Sequence, residues 1–263
     1  AGQRFESSPG RQLPTTHLRK PWHYHRTMNL LLLENRDFTA ENRVQITGRR
    51  LKHLSEIHNA SEGDTLKAGK INGKVGKATI LKIDTQSAEL EVILTEQPPV
   101  PLPLTLILAL PRPKMLRRIF QTIATMGVKK LYLINTWRVE KSYWQTPWLE
   151  EAAIREQLIL GLEQGCDTQL PDVIINKRFK PFVEDELANI AANTLPLVAH
   201  PSGEMPCPLG LDQAITLAIG PEGGFIDYEV EKFIELGFQS ITLGSRILRV
   251  ETAIPVLLSK LYS

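Results

Sequence analysis

A proline-rich stretch separates two parts of the chain that have different hydrophobic patterns. Residues 97–103 (Gln-Pro-Pro-Val-Pro-Leu-Pro) hold four prolines in seven positions. Proline fixes φ and removes a backbone donor, so this stretch predicts a stiff linker between two domains. Short alternating runs broken by glycines precede it, and continuous apolar runs alternate with helix-like spacing after it. A chain of 263 residues is long enough for two domains, each with its own core.

The first part, residues 28–96, is predicted to be a small antiparallel β-barrel with one helix at 50–59. Asn72-Gly73 lies between two alternating runs, and this dipeptide is typical of a type I′ hairpin turn, whose two central residues need positive φ. The predicted strands are Val44–Ile46, Thr65–Ala68, Val75–Ile83 and Ala88–Leu94.

The second part, residues 104–263, is predicted to be an α/β domain with a parallel sheet. Near-continuous apolar strands that alternate with helices are typical of a sheet covered on both faces, with ligands at the carboxyl ends of the strands. The predicted strands are Leu104–Leu110, Leu131–Ile134, Leu195–Ala199, Ala214–Ile219 and Ser240–Leu243. The predicted helices are Lys114–Met126, Leu149–Gln164, Val183–Ala192, Tyr228–Leu236 and Thr252–Tyr262.

Residues 1–27 are interpreted as an addition to these domains. They contain prolines and polar residues, five Lys/Arg against one acidic residue, and no apolar periodicity. An expression tag or an unusual start site is the favoured interpretation, and a targeting segment is the alternative. We expect a cytoplasmic protein, with an organelle address possible if this segment is native.

Composition excludes several classes of protein. With 42% hydrophobic and 23% charged residues and no long apolar run, the chain is neither a disordered nor a membrane-spanning type. Cys166 and Cys207 match no metal-ligand spacing, so we expect no bound metal and no disulfide scaffold. The net charge is only +2, so any nucleic acid must bind through local basic patches.

A glycine-rich motif lies between a predicted strand and a predicted helix. Ile219-Gly-Pro-Glu-Gly-Gly-Phe225 has glycines that let backbone N–H and C=O groups approach a ligand of the adenosine type. A mere turn is the alternative. The motif is not G-x-G-x-x-G and comes late in the chain, which argues against a nucleotide-dependent oxidoreductase.

A second motif, Leu243-Gly-Ser-Arg-Ile-Leu-Arg-Val-Glu-Thr-Ala253, runs from a strand into a helix start. Alone it could be a loop with an exposed ion pair and a threonine cap. Together, the two motifs resemble the signature of the RsmE-type 16S ribosomal RNA uridine-N3 methyltransferases, a branch of the SPOUT class. The resemblance covers most of the chain after Met28.

The resemblance implies a PUA-like barrel followed by a SPOUT domain with a deep trefoil knot, in a homodimer that binds S-adenosyl-L-methionine and acts on ribosomal RNA in the small subunit. It also implies a cofactor pocket between the two motifs and the end of the preceding strand. The implied cofactor residues are Leu197, Ala199, His200, Ile219, Gly220, Pro221, Glu222, Gly223, Gly224, Leu243, Gly244, Ile247, Leu248, Arg249 and Thr252.

A basic cluster opens the first helix of the second part. Lys114, Arg117, Arg118 and Gln121 share one face at helical spacing. The basic side chains suit phosphate contacts. The predicted RNA-binding set is therefore Arg112, Lys114, Arg117, Arg118 and Arg138; a solvated surface is the alternative. Residues 137–144 are rich in aromatic and basic side chains, able to stack a base or to anchor a core.

The implied reaction transfers a methyl group to N3 of a uridine, a nitrogen that must first lose its proton. We assign Arg249 to stabilise the uracil anion, because a guanidinium stays charged and offers several donors. The general base stays open between Glu222 and Glu251, each of which could instead bind backbone amides.

The chain departs from the family pattern at three places on the substrate side. These are Thr122–Gly127, Leu162–Asp167 and His53–His58. The departures leave two alternatives open: a methyltransferase for a different RNA, and a non-catalytic RNA-binding or ribosome-assembly protein with the same fold.

Overall fold

The computed structural model describes residues 29–58 and 60–262; the interpretation of residues 1–27 as an addition concerns residues outside this range. Six strands form the first sheet, in the order β1-β4-β5-β6-β3-β2. The helix α1 (Gly48–His58) follows β3, close to the predicted 50–59. The strands are β1 (Leu31–Leu33), β2 (Phe38–Ala40), β3 (Arg43–Ile46), β4 (Thr65–Lys70), β5 (Val75–Ile83) and β6 (Ala88–Glu96).

The sequence predicted a wholly antiparallel first sheet, but the sheet contains one parallel pair. β1 pairs with β4 in parallel, whereas the other pairs are antiparallel. The alternating pattern cannot show this, because β1 is only three residues long and all three of them are buried. The short strand contributes to two cores: Leu31 and Leu33 face the core of the first sheet, while Leu30 and Leu32 pack into the larger core of the second part.

The predicted hairpin joins β4 and β5, but its turn is not type I′. Asn72 adopts a φ of 57°, whereas Gly73 does not adopt a positive φ. Asn72 faces the second part of the chain: its N–H donates to Thr168 O at 2.8 Å, and its Oδ1 accepts from Leu170 N at 2.8 Å. These contacts, rather than an isolated hairpin preference, fix the turn.

Seven strands form a second, entirely parallel sheet, which confirms the predicted class. Its order is β11-β13-β10-β12-β7-β8-β9. Its strands are β7 (Leu104–Ala109), β8 (Lys130–Ile134), β9 (Asp172–Asn176), β10 (Leu195–Ala199), β11 (Met205–Pro206), β12 (Ile215–Ile219) and β13 (Gln239–Thr242). The sequence did not predict β9 and β11, which lie at the two ends of the sheet.

Helices connect these strands. α2 (Pro113–Thr125) buries Leu116, Ile119, Phe120 and Ile123 on the face predicted from their spacing. The other long helices are α3 (Glu151–Gly165), α6 (Asp227–Glu235) and α7 (Val250–Tyr262). The helix predicted at 183–192 is broken into α4 (Phe179–Pro181), a π-helical segment at Phe182–Glu186, and α5 (Leu187–Ile190). No helix in residues 29–58 and 60–262 combines the length and the apolar character needed to cross a membrane.

The loop between β10 and β11 passes over the end of β13. β13 lies between β10 and β11 in the sheet although it follows both in sequence. A Cβ added to Gly203 would lie 2.4 Å from the carbonyl carbon of Ile241, so the loop crosses in direct contact with the strand. Further on, Leu211 N donates to Leu261 O at 2.7 Å. The chain that follows β13 therefore runs back past the segment at 200–211.

The two parts of the chain meet at a bonded interface, called here the domain seam. It consists of the Asn72 turn, Asn29, Arg49, Glu163 and the loop at 165–170. Arg49 of α1 makes two hydrogen bonds to the Glu163 carboxylate of α3, at 2.8 and 2.9 Å, and these bonds raise the pKa of Arg49. Within the loop at the seam, Asp167 accepts from Lys129 Nζ at 2.5 Å. The interface is thus held by ion pairs as well as by packing.

Candidate active site

A cavity lies at the carboxyl ends of β10, β12 and β13. Its walls come from the loop that follows each strand and from one face of α7. Parallel sheets commonly bind ligands at this edge, because all the loops there leave the sheet in the same direction. The lining residues are Ala199, His200, Pro201, Ile219, Gly220, Pro221, Glu222, Gly224, Ile241, Thr242, Leu243, Gly244, Arg246, Ile247, Leu248, Val250, Ala253 and Leu257.

The loop at 220–224 is a tight turn that needs its glycines. A Cβ on Gly220 would lie 2.8 Å from the backbone nitrogen of Phe225. Gly224 has a φ of 74°, and its N–H donates to Pro221 O at 2.8 Å. Phe225 is buried against Phe233 of α6, so the loop is fixed at its end. Gly220 and Gly224 therefore bring bare backbone to the wall of the cavity.

Contacts with two other loops hold the glycine loop in place. The Glu222 carboxylate accepts from the backbone N–H of Arg112 at 2.9 Å, at the start of α2. The Arg138 guanidinium donates to Gly223 O. Arg112 follows β7, which pairs with β12, and Arg138 follows β8, the next strand beyond β7. The glycine loop after β12 is therefore tied to the loops that follow these two strands.

The loop at 243–249 forms the opposite wall and leads into α7. Gly244 has a φ of 109°, a conformation that favours glycine. Arg249 O accepts the first helical N–H groups of α7, from Thr252 at 2.9 Å and Ala253 at 2.8 Å. Ile247 is 80% exposed beside the cavity, which is unusual for an apolar side chain of this size.

Most of the predicted cofactor residues line this cavity, and four do not. Leu197 is fully buried within β10, and Gly223 lies against the Arg138 side chain. Arg249 and Thr252 are exposed at the start of α7. The predicted residues that line the cavity are Ala199, His200, Ile219, Gly220, Pro221, Glu222, Gly224, Leu243, Gly244, Ile247 and Leu248.

Sequence reasoning missed one wall of the cavity, on α7. Val250, Ala253 and Leu257 line it at positions i, i+3 and i+7, so they form one helix face. This spacing was a usable signal, since the helix itself was predicted. Of the other missed lining residues, Arg246 lies within the second motif. The rest adjoin that motif or the predicted strand that ends at Ala199; they are Pro201, Ile241 and Thr242.

The predicted basic face of α2 is exposed near the cavity. Arg112, Lys114, Arg117 and Arg118 are all exposed, and the Arg117 guanidinium lies 4.6 Å from the ring centroid of Trp148. The predicted fourth member of the face, Gln121, instead donates to Gln157 of α3 at 2.7 Å. Among the described residues, no group of three or more His, Cys, Asp or Glu side chains could hold a metal ion.

Two of the departures from the family pattern lie away from the cavity. Thr125 donates to Gly161 O at 2.9 Å between α2 and α3, and Glu163 pairs with Arg49. Asp167 pairs with Lys129, which precedes β8. These residues lie toward the amino ends of the strands, where they hold the helix pair and the domain seam together.

Comparison with known proteins agrees with this arrangement. A family model described as an RNA methyltransferase domain matches residues 98–262. Ribosomal RNA small subunit methyltransferase E of Treponema pallidum is 28% identical over 86% of this chain and 87% of its own length. The protein of the same name from Synechocystis is 30% identical over 84% of this chain and 73% of its own length.

The fold is also similar to a solved structure. Ribosomal RNA small subunit methyltransferase E from Neisseria gonorrhoeae, bound to S-adenosyl methionine, has a TM-score of 0.68 at 21% identity, over 88% of this chain and 95% of that one. With both motifs on one cavity and this similarity along most of its length, the chain belongs to the RNA methyltransferase family of the ribosomal RNA small subunit methyltransferase E proteins.

Proposed function

We propose that this protein is an S-adenosylmethionine-dependent methyltransferase that methylates N3 of a uridine in the RNA of the small ribosomal subunit. One observation carries the proposal: the loops at 220–224 and 243–249, which hold the two family motifs, form opposite walls of one cavity. Membership of the family and the name shared by its relatives give the reaction and the substrate.

The cavity fits the cofactor chemically. Its walls combine exposed glycine backbone, which can donate to and accept from an adenosine, with the apolar side chains Ile219, Ile241 and Leu257. The loop backbone packs so closely at Gly220 that an alanine Cβ there would lie only 2.8 Å from Phe225 N. S-adenosylmethionine supplies a methyl group activated by a positively charged sulfur. We assign its binding to the predicted residues that line the cavity, with Leu197, Gly223 and Thr252 supporting those walls.

The remaining chemistry concerns the uridine. N3 must lose its proton before it can accept a methyl group, and the uracil ring then carries negative charge. We assign Arg249 to stabilise that charge, because its side chain is exposed beside the cavity-lining Leu248 and Val250. The candidate bases are Glu222, which lines the cavity and accepts a backbone N–H from Arg112, and Glu251, which follows the cavity-lining Val250 on α7.

RNA binding is assigned to the basic groups near the cavity. Arg112, Lys114, Arg117 and Arg118 extend along α2, and Arg138 adjoins the glycine loop. Contacts of such cations with phosphates position RNA without reading its sequence. The substrate implied is ribosomal RNA within the small subunit, which agrees with a cytoplasmic protein.

The finer architecture also belongs to this proposal. We divide the chain into a PUA-like RNA-binding barrel (28–96), a linker (97–103) and a SPOUT domain (104–263). A deep trefoil knot is supported by β13 lying between β10 and β11 and by the crossing of Gly203 over Ile241. A homodimer is supported by the exposed Ile247 and the half-exposed Leu248 beside the cavity, since exposed apolar side chains often mark an interface.

The test begins with calorimetric titration of S-adenosylmethionine and S-adenosylhomocysteine into the protein. Small subunits that lack base methylation are then incubated with protein and cofactor, and their RNA nucleosides are identified by mass spectrometry. Fully methylated subunits are the control. We expect the protein to bind the cofactor. We also expect 3-methyluridine to form in the unmethylated subunits and not in the fully methylated control. A different methylated nucleoside in these subunits would overturn the assignment to N3 of a uridine. The absence of both cofactor binding and methylation would favour a non-catalytic ribosome-assembly protein.

A further inference from the structure

An exposed tryptophan follows β8, directly before the arginine that contacts the glycine loop. Trp137 follows β8 and is 80% exposed, although burying an aromatic side chain of this size is strongly favourable. Neither of the two motifs includes it, but it belongs to the segment 137–144, whose side chains are able to stack a base or to anchor a core. Trp144 and Trp148, by contrast, are partly buried against the core, and Trp144 Nε1 donates to Asn135 Oδ1 at 2.8 Å.

The backbone that carries Trp137 is firmly held. Its N–H donates to Glu229 Oε1 at 2.7 Å, and Glu229 is buried, with its other oxygen accepting from Ile226 N at 3.0 Å. The flanking Thr136 and Val139 are both buried, and Val139 N donates to Thr136 O at 3.1 Å. The indole is therefore exposed to solvent on a short turn whose backbone is held by Glu229 and by the buried Thr136 and Val139.

The same contacts place the backbone of Trp137 close to the glycine loop. Glu229 bonds Trp137 to Ile226, which directly follows Phe225 at the end of that loop. The next residue, Arg138, donates to Gly223 O. The position of Trp137 relative to the cavity is thus set by two independent hydrogen bonds to the loop and its helix.

An aromatic face next to guanidinium groups suits an unstacked RNA base with its phosphate. Single-stranded bases are commonly recognised by stacking on aromatic side chains, and arginine binds the backbone alongside. Arg138 supplies a cation here, since its guanidinium donates to Gly223 O. Arg112 supplies a second, because its backbone N–H donates to Glu222 and its side chain is exposed. A base that is methylated at a ring nitrogen must leave its stack, so it and its neighbours need a new stacking surface.

We propose that Trp137 is the stacking platform for an unstacked base of the RNA substrate, next to the nucleotide that is methylated. This inference rests on the proposed function and names a positioning residue for it. The platform acts on RNA affinity, because the indole is held outside the cavity lining.

The test compares Trp137→Ala and Trp137→Phe with the native protein. Tyr228→Ala is the matched control, because Tyr228 is an exposed aromatic on α6 whose ring faces Lys232. The RNA probe is a short, fluorescently labelled oligouridine, and its binding is measured by fluorescence anisotropy. Calorimetry measures S-adenosylmethionine affinity, and sedimentation measures the oligomeric state.

We expect Trp137→Ala to weaken oligouridine binding about tenfold, since stacking of one base contributes an effect of this order. Trp137→Phe retains most of the affinity, while Tyr228→Ala matches the native protein. With small subunits as substrate, Trp137→Ala raises KM for RNA and leaves cofactor affinity unchanged.

Native oligouridine affinity in Trp137→Ala would overturn the proposal. Dissociation of the oligomer in this variant would also overturn it, because Trp137 would then be a contact between subunits. Equal losses in the Ala and Phe variants would also contradict stacking. The binding experiment needs no catalysis, so it tests the platform even if the proposed methyl transfer fails.

Discussion

The two edges of the parallel sheet are built by different kinds of contact. At the carboxyl edge, the loops at 220–224 and 243–249 depend on glycine conformations and on backbone hydrogen bonds, and they leave Ile247 and Arg249 exposed. At the amino edge, Lys129 pairs with the buried Asp167, and the loop that carries Asp167 bonds to the Asn72 turn of the first sheet.

This difference indicates that the carboxyl edge, rather than the amino edge, can bind a ligand. The amino edge satisfies its charged groups within the protein, so a change there removes a partner from a buried group. The carboxyl edge leaves backbone groups and cations facing a cavity. We therefore expect changes at the carboxyl edge to alter binding and rate with little effect on stability, and changes at the amino edge to do the opposite.

The largest effect is expected at Arg249. Arg249→Ala removes the donors assigned to the uracil anion, and losing one such group commonly lowers kcat by about 100- to 1000-fold. Cofactor affinity and the free energy of unfolding remain near those of the native protein, because the side chain is exposed. Single-turnover methylation of small subunits measures the effect.

Arg246 gives the matched comparison for Arg249, because it lines the cavity and is also exposed. Arg246→Ala is expected to reduce the rate less than Arg249→Ala. Normal turnover in Arg249→Ala would remove the assignment, and a greater loss in Arg246→Ala would transfer the role to Arg246.

The next effect is expected in the glycine loop. Gly220→Ala places a Cβ 2.8 Å from Phe225 N, so the backbone of the loop must shift. A misplacement of about 1 Å at a reacting centre can lower the rate about 100-fold. We expect a loss of this order in the rate of methyl transfer, together with weaker S-adenosylmethionine binding by calorimetry. Gly73→Ala is the control, since its added Cβ would approach Lys70 no closer than 3.3 Å. Native affinity in Gly220→Ala would show that the loop does not contact the cofactor.

Much of the carboxyl edge could be predicted from sequence, because its information is local. β5 and β10 have the predicted bounds, and the two glycine motifs identified opposite walls of one cavity. The α7 wall was missed although Val250, Ala253 and Leu257 have helical spacing. What the motifs could not show is orientation: Gly223 faces Arg138 rather than the cavity.

The amino edge was harder to predict, because its contacts join residues far apart in sequence. Arg49 and Glu163 are separated by 114 positions, and neither carries a local signal of its partner. β9 was missed because its apolar run is only three residues long, at 173–175, between Asp172 and Asn176; its residues are half-buried or exposed at the edge of the sheet. The turn at Asn72 likewise depends on Thr168 and Leu170, not on its own dipeptide.

A charge removed from the amino edge should lower stability without changing catalysis. Lys129→Met leaves the Asp167 carboxylate buried without its cation; the Asp167 side chain is only 4% exposed. Breaking a buried pair in this way costs about 3 kcal/mol or more in the free energy of unfolding, measured by urea denaturation. Lys232→Met, which breaks a pair with Glu235 on the surface of α6, is the control and should change little. Native stability in Lys129→Met would contradict the comparison of the two edges.

The smallest effect is expected at high pH, also at the amino edge. The Tyr262 hydroxyl donates to Pro103 O at 3.0 Å, and burial raises its pKa to about 12, whereas an unfolded tyrosine titrates near pH 10. The folded state therefore holds this proton more tightly, so its contribution to stability is complete below about pH 10 and is lost as the pH rises toward about 12.

The test is the urea midpoint of the native protein and of Tyr262→Phe, measured across this range. The native protein should lose more stability than Tyr262→Phe between about pH 10 and 12, by less than about 1 kcal/mol because the side chain is only partly buried. The control, Tyr228→Phe, changes an exposed tyrosine on α6 and should follow the native curve. Parallel curves for the native protein and Tyr262→Phe would show that the hydroxyl at Pro103 does not stabilise the amino edge.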